Sequence, residues 1–155
     1  LTQISNVYNK LENSTKSEEV FSKLISLEPG NKDHYFYFGK ALMEAGKYSQ
    51  ARTQFLKASD VGNGWALPIF YEGFLYEQSA AGCTDFDRKV VYLLAQNTYR
   101  RALNMDPNLG EARDRINALS GSVPTKEDYF FRNIKSGTVI PITCVGWIGK
   151  SVTAP

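Results

Sequence analysis

The stretch Tyr35-Phe36-Tyr37-Phe38-Gly39 returns 34 positions later as Ile69-Phe70-Tyr71-Glu72-Gly73. At the same shift Leu42 corresponds to Tyr76, so both copies place large, large, small and large side chains three or four residues apart. This spacing is that of one buried helical face, and the small glycine marks a place where two helix axes approach closely. The sequence therefore predicts a repeating helical unit of 34 residues.

The repeat extends in both directions and includes a second helix. Shifted backwards by 34 residues, the first pattern falls on Leu1, Ile4, Ser5 and Tyr8. The second-helix pattern has three copies: Ser17, Phe21 and Leu24; Ala51, Phe55 and Ala58; Ala95, Tyr99 and Ala102. The last copy is displaced by 44 residues instead of 34, so the third unit contains an insertion over residues 79–88. The chain is thus predicted to consist of helix pairs.

Turn residues place the helix boundaries. Glu28-Pro29-Gly30 and Asp106-Pro107-Asn108 each carry a proline where one helix ends and another begins. We expect helices over residues 1–12, 17–27, 32–45, 48–60, 66–79, 86–104 and 109–119. In the insertion, Thr84 and Asp87 are predicted to cap the helix that follows. The last helix is polar on most of its circumference, as expected of the end of a helical stack.

The segment from Tyr35 to Ala58 resembles a tetratricopeptide repeat, and so does the later half-repeat that ends at Pro107. The resemblance implies an all-α fold: a right-handed helical-repeat solenoid of about three helix pairs plus a capping helix, with an extended C-terminal tail. The implied repeats are residues 1–31, 32–65 and 66–109, with a capping helix over 109–119. Repeats fill residues 1–121, and a C-terminal segment fills 122–155. Glu72, where the family usually has leucine, and the insertion depart from the pattern.

The C-terminal segment differs from the repeats. A short helix is predicted from Thr125, with Asp128 as its capping partner. The β-branched residues that follow predict an extended segment broken by glycine and proline. Burial of its apolar side chains offsets less than the backbone entropy of ordering it, so it requires backbone pairing or docking on its own body or on a neighbour. Residues 126–131 and 146–153 are similar to the closing segment of tetratricopeptide proteins from Bacteroidetes.

The two cysteines leave two alternatives. Cys83 lies in the insertion and Cys144 in the C-terminal segment. Two free thiols are the default expectation, since two cysteines are too few for a structural zinc site. The alternative is a disulfide that ties the C-terminal segment to the insertion, which would close a loop of about 60 residues and stabilise the fold by about 4 kcal/mol in the chain-entropy model.

Several classes of function are disfavoured. With 18 Lys and Arg against 16 Asp and Glu, the net charge of +2 argues against nucleic-acid binding. The apolar runs are shorter than the roughly 20 residues of a membrane span. The single histidine, His34, is expected to be a partly exposed residue at a helix start, and nucleotide-binding, hydrolase and metalloprotease motifs are absent. We expect no catalysis, no cofactor and no metal.

The resemblance implies that the first helix of each pair lines a concave groove that holds a protein segment. Projected onto this chain, the groove residues are Phe36, Tyr37, Lys40, Met43, Leu67, Phe70, Tyr71 and Phe74. Asp33, Glu44 and Glu77 flank them. The groove would be apolar and aromatic, although any single aromatic residue has even odds of being part of the core between helices instead.

These residues favour a non-catalytic scaffold that binds a protein or peptide segment. The alternative is self-association, in which the C-terminal segment docks on the repeat surface of its own or a neighbouring copy. The chain begins with Leu1 rather than methionine, so we expect a piece of a longer protein. The compartment stays open; an extracytoplasmic or periplasmic location would follow if an upstream signal had been removed.

Overall fold

The structure, a computed structural model, describes residues 16–155. The predicted helix over 1–12 and the repeat positions Leu1, Ile4, Ser5 and Tyr8 lie outside these residues. Seven α-helices occur in the described part: α1 Ser17–Leu27, α2 Lys32–Glu44, α3 Tyr48–Val61, α4 Ala66–Ser79, α5 Asp85–Met105, α6 Gly110–Leu119 and α7 Lys126–Phe131. The helices predicted from residue 17 to residue 119 are confirmed, with boundaries that differ by one residue at most.

The helix starts show where capping could be read from sequence. Asn31 accepts a hydrogen bond from the Asp33 amide at the start of α2. Thr125 and Asp128 form the predicted reciprocal capping box of α7. The predicted cap at Thr84 is wrong: its side chain makes no cap hydrogen bond. The next residue has a φ of 47°, a left-handed conformation outside a regular helix start.

By their internal contacts the described residues form two compact units, one ending at Ile69 and the other spanning Phe70–Pro155. The boundary lies within α4, and it does not decide the predicted repeat boundaries at residues 31, 65, 109 and 121, which remain predictions. In the first unit, Phe21 of α1 stacks on Phe38 of α2 with ring centroids 5.4 Å apart. A Cβ atom on Gly39 would lie 2.7 Å from the Phe55 ring, so the glycine permits the close approach of α2 and α3.

The second unit repeats this packing with different residues. A Cβ atom on Gly73 of α4 would lie 2.8 Å from the ring of Tyr99 on α5. Tyr76 and Tyr99 have no exposed surface. The assignment of the repeated aromatic positions to helix packing is confirmed for the described residues Tyr35, Phe38, Phe55, Tyr76 and Tyr99, which are all buried.

His34 is more buried than its position at a helix start predicted. Only 5% of its surface is exposed, so the expectation of a partly exposed residue is wrong. Its Nε2 atom lies 2.8 Å from an Oε atom of Glu28, which follows the end of α1. The next residue, Tyr35, donates its hydroxyl to the carbonyl of Pro29 at 2.8 Å. Through these hydrogen bonds, both side chains hold the connection between α1 and α2 against the start of α2.

Backbone pairing orders the end of the chain, as one of the two predicted routes required. Strands β1 Val139–Pro141 and β2 Ser151–Thr153 pair antiparallel, with Ile140 opposite Val152. Further backbone bonds extend the pairing: the Ile142 amide donates to Lys150, and the Ala154 amide donates to Thr138. Val152 is buried and β2 packs on α5, so the strands have one face against the helices of their own unit.

Candidate functional site

The predicted groove residues of the second unit lie on one side of α4. Phe70, Tyr71 and Phe74 are all partly exposed. The rings of Phe70 and Tyr71 lie edge to face at 5.5 Å, and those of Tyr71 and Phe74 lie 6.5 Å apart. Phe70 also rests on Tyr99, with ring centroids 5.2 Å apart. The structure therefore brings three aromatic residues together, anchored on one side by the core.

The position of Glu77 continues this face of α4 by one helical turn. Its carboxylate accepts a hydrogen bond from the Tyr99 hydroxyl at 2.6 Å and another from Arg115 Nε of α6 at 3.1 Å. Burial, followed by the hydrogen bond to Glu77, raises the pKa of the Tyr99 phenol well above its usual range. Because Tyr99 stays protonated, its hydroxyl donates to the Glu77 carboxylate, and Arg115 balances the charge of that carboxylate. The aromatic face of α4 therefore ends at a paired carboxylate.

Glu72, on another side of α4, is almost completely buried, with 1% of its surface exposed. It accepts a hydrogen bond from the Tyr76 hydroxyl at 2.8 Å and forms an ion pair with Arg101 of α5. A buried carboxylate is tolerated only when it is paired and hydrogen-bonded. The sequence singled out this residue as a departure from the repeat, but it did not predict Arg101 as its partner.

In the first unit the predicted residues on α2 separate into two groups. Tyr37, Lys40 and Met43 are partly exposed, and Lys40 Nζ lies 5.6 Å from the centre of the Tyr37 ring. Phe36 is only 6% exposed. Its ring lies 4.9 Å from that of Trp65 and 6.0 Å from that of Phe55.

Phe36 therefore packs in the core, the alternative that was left open for each aromatic residue, and its ring does not line an open surface. Trp65 takes part in the same packing, and Lys32 Nζ lies 4.5 Å from the centre of its ring. Leu67, at the start of α4, is partly exposed. The first unit thus keeps Tyr37, Lys40, Met43 and Leu67 as candidates for partner contact.

A cavity on the first unit was not predicted. It is open to solvent, has a volume of about 640 Å³ and lies between the second helices, α1 and α3, over the buried rings of α2. Leu56, an apolar residue with 41% of its surface exposed, lines it. The signal that could have indicated this cavity is the apolar Leu56 on the outer face of an otherwise polar helix.

The C-terminal segment is fastened to the second unit away from these aromatic residues. Cys83 and Cys144 form a disulfide, with Cα atoms 5.5 Å apart, so the default expectation of two free thiols is wrong. Spacing alone could not decide between the alternatives, because the two cysteines are 61 positions apart and meet only through the fold. Trp147 stacks on Tyr76 at 5.7 Å. On α4, Tyr76 is about 200° around the helix from Phe74, since successive residues are about 100° apart.

Within residues 16–155, no helix is long and apolar enough to cross a bilayer. In the same part of the chain, no group of three or more His, Cys, Asp and Glu side chains is arranged to hold a metal ion.

The comparisons with known proteins concern the N-terminal part of the chain. Residues 1–31 match the tetratricopeptide repeat family, and α1 lies in the described part of that match. A search of curated proteins gives no match. Repeats of this family are generally non-catalytic modules that bind proteins or peptides. The match covers residues 1–31 and thus one repeat-sized segment, and the rest of the described chain has an all-α fold of repeated helix pairs.

Proposed function

We propose that the protein is a non-catalytic scaffold that binds a protein segment through the partly exposed aromatic residues of its first helices. The observation that carries the proposal is the cluster of Phe70, Tyr71 and Phe74 on α4. Aromatic side chains offer a large contact area for little loss of rotamer freedom, which is why they are frequent in binding surfaces. On the first unit, taken by itself, Tyr37 and Met43 are also partly exposed.

The C-terminal segment leaves this face of α4 open. Its contact on the helix is made by Trp147 with Tyr76, which is buried. If the segment were a built-in ligand of the aromatic cluster, it would cover Phe74 and Tyr71 instead. The position of Trp147 thus supports a surface that is available to a separate chain.

The preferred partner is an extended or helical segment with apolar side chains. Glu77, the charged residue next in line on α4, is paired with Arg115 and accepts a hydrogen bond from Tyr99. A ligand that relied on charge would therefore find no unpaired charge at Glu77. Apolar side chains packed against the aromatic rings would supply most of the affinity.

The proposal can be tested with peptides selected from a random displayed library on the wild-type chain. We expect Tyr71→Ala with Phe74→Ala to weaken their binding at least tenfold, because each lost aromatic contact contributes about 1.5–3 kcal/mol when buried. Phe70 is left unchanged, since it packs on Tyr99. The matched control is Phe130→Ala with Phe131→Ala, which removes two aromatic residues that are exposed elsewhere.

Circular dichroism of each variant establishes that the helices are retained. Equal binding by the Tyr71 and Phe74 variant and by wild type would refute the aromatic surface as the binding site. Equal losses in both double variants would also refute it, because contact with any exposed aromatic residue would then suffice.

Self-association is the second candidate function, and the exposed pair on α7 favours it. Phe130 and Phe131 are 79% and 83% exposed, and their rings lie 5.6 Å apart. Exposed aromatic pairs of this kind are common at contacts between proteins. Sedimentation of wild type and of Phe130→Ser with Phe131→Ser tests this function: an unchanged mass per particle would rule out the pair as the assembly contact. The likeness of the C-terminal segment to the closing segments of Bacteroidetes tetratricopeptide proteins remains a prediction.

A further inference from the structure

The insertion and the C-terminal segment make a set of mutual contacts, one of them covalent. The Cys83–Cys144 disulfide joins them. Beside it, Lys89 Nζ lies 2.8 Å from an Oδ atom of Asp128. Phe86 makes the third contact. Its ring lies edge to face with that of Tyr129, with centroids 6.1 Å apart, and the Arg132 guanidinium carbon lies 4.3 Å from the centre of the Phe86 ring. The contacts on the helical side cluster at the beginning of α5, within or next to the insertion.

Two of the contacts that are not covalent, the ion pair and the hairpin, are weak. The Lys89 and Asp128 side chains keep 39% and 23% of their surface exposed, and an ion pair in such a position contributes little. Each strand of the hairpin has only three residues, and an isolated two-stranded hairpin is marginal in water. The stability of the docked segment therefore depends strongly on the disulfide.

The segment covers an apolar surface of the repeats. Trp147 stacks on Tyr76, which has no exposed surface, and Ile148 and Val152 are buried. On α5, Val90 is also buried, and it lines a small gap together with Ile142 and Cys144 of the segment. Undocking would expose Tyr76 and the side of α5 that β2 covers.

The disulfide is accessible from one side. Cys83 is 1% exposed, whereas Cys144 is partly exposed. A dithiol reductant can therefore attack the Cys144 sulfur, and Cys83 leaves as a thiolate and is then protonated. A second thiol of the same reductant resolves the mixed disulfide, so that one dithiol is oxidised for each disulfide reduced.

We propose that the C-terminal segment is a redox-dependent clasp, docked on the second unit while Cys83 and Cys144 are joined and released when a dithiol reduces them. Because the helices stay folded, the free chain that the disulfide closes is the stretch of about 25 residues between the end of α6 and Cys144, and closing it shifts the docking equilibrium by about a few hundredfold in the chain-entropy model. Release uncovers the apolar surface around Tyr76 while the helices stay folded. The clasp goes beyond the binding of a protein segment to the aromatic residues, and it holds or fails independently of that function.

Amide hydrogen exchange tests the clasp on the intact chain, with and without dithiothreitol. The reporter amides are those of Ile142 and Ala154, which donate to Lys150 and Thr138 across the hairpin. We expect their exchange to accelerate by up to about a few hundredfold on reduction, while the amides in the middle of α5 keep their protection. An apolar reporter dye should bind the reduced chain more strongly, because Tyr76 and its neighbours become exposed.

Two results would overturn the proposal. Unchanged exchange at Ile142 and Ala154 after complete reduction would show that the segment stays docked without the disulfide. Equal acceleration in α5 would show that the disulfide stabilises the whole unit rather than a separate clasp. Cys144→Ser, measured without reductant, must reproduce the reduced wild type. Lys150→Met, which leaves both cysteines and the hairpin backbone in place, serves as the control and should keep the oxidised pattern.

Discussion

Replacing Arg101 with methionine should destabilise the protein far more than replacing the carboxylate that it neutralises. In Arg101→Met, Glu72 keeps its position with 1% of its surface exposed and loses its ionic partner. Removing one partner of a buried pair costs about 3–5 kcal/mol, and we expect about 3 because Arg101 itself is half exposed to solvent. In Glu72→Leu the remaining arginine can turn to water, so the expected loss is about 1 kcal/mol, mainly from the hydrogen bond between the Tyr76 hydroxyl and Glu72 that is removed.

The assay is urea denaturation followed by circular dichroism. With a slope of about 2 kcal/mol per molar urea, the Arg101→Met loss corresponds to a midpoint lowered by about 1.5 M. The double variant Glu72→Leu with Arg101→Met should recover about 2 kcal/mol, since the buried charge is gone. Arg100→Met is the matched control. Arg100 is exposed, so its replacement should change the free energy of unfolding by less than about 0.5 kcal/mol. If the double variant is as unstable as Arg101→Met alone, the buried charge is not the cause of the loss.

Two further predictions concern packing and pH. Gly73→Ala should lower the free energy of unfolding by about 1–3 kcal/mol, because its Cβ atom would lie 2.8 Å from the Tyr99 ring. In the control Gly82→Ala, the added Cβ meets no atom within 4 Å, so its stability should be nearly unchanged. Thermal denaturation compares the two variants, and equal midpoints would contradict the packing argument. The hydrogen bond from Lys89, followed by the backbone bond at the start of α7, lowers the pKa of Asp128 below 3.8, so its stabilising contribution is present above pH 3.8 and is lost as the pH falls through the lowered pKa. The difference in unfolding free energy between wild type and Lys89→Met should therefore shrink in acid, and a difference that stays constant with pH would exclude this ion pair as its source.

The helices could be predicted because the same pattern of large and small side chains recurs in several copies of the repeat. Gly39 and Gly73 each face an aromatic ring, Phe55 and Tyr99, at nearly the same distance, although the insertion lengthens the stretch of sequence between the second pair. A single copy would leave the register of the two helices undetermined, but recurrence at 34 residues fixes both the spacing and the size of the side chains. The same logic failed at Thr84, because the insertion has no second copy against which to compare it.

The candidate site was less predictable, since exposure depends on neighbours that sequence spacing does not identify. Phe36 and Phe70 occupy equivalent positions in their repeats, yet Phe36 is buried and Phe70 is partly exposed. The difference arises from Trp65, whose ring lies against Phe36. At the 44-residue shift of the third unit, the position that corresponds to Trp65 is Leu109, which is not aromatic. A periodic pattern thus predicts which side of a helix a residue faces, but not how much of it a neighbour covers.

The two departures from the repeat explain each other. An insertion that only lengthened a turn would need neither a buried cysteine nor a buried aromatic residue, but Cys83 and Phe86 are 1% and 7% exposed. Both contact residues more than 40 positions later in the chain: Cys83 is bonded to Cys144, and the ring of Phe86 packs on that of Tyr129. Conversely, the C-terminal segment is held by backbone pairing and by the burial of Ile148 and Val152, and Cys83 and Phe86 add two anchors to these contacts. The insertion extends α5 beyond the length of a minimal repeat, and the added turn provides the surface on which the segment docks. Shortening the insertion to the minimal repeat would therefore release the segment even in an oxidising solution, because its covalent and aromatic anchors would both be removed.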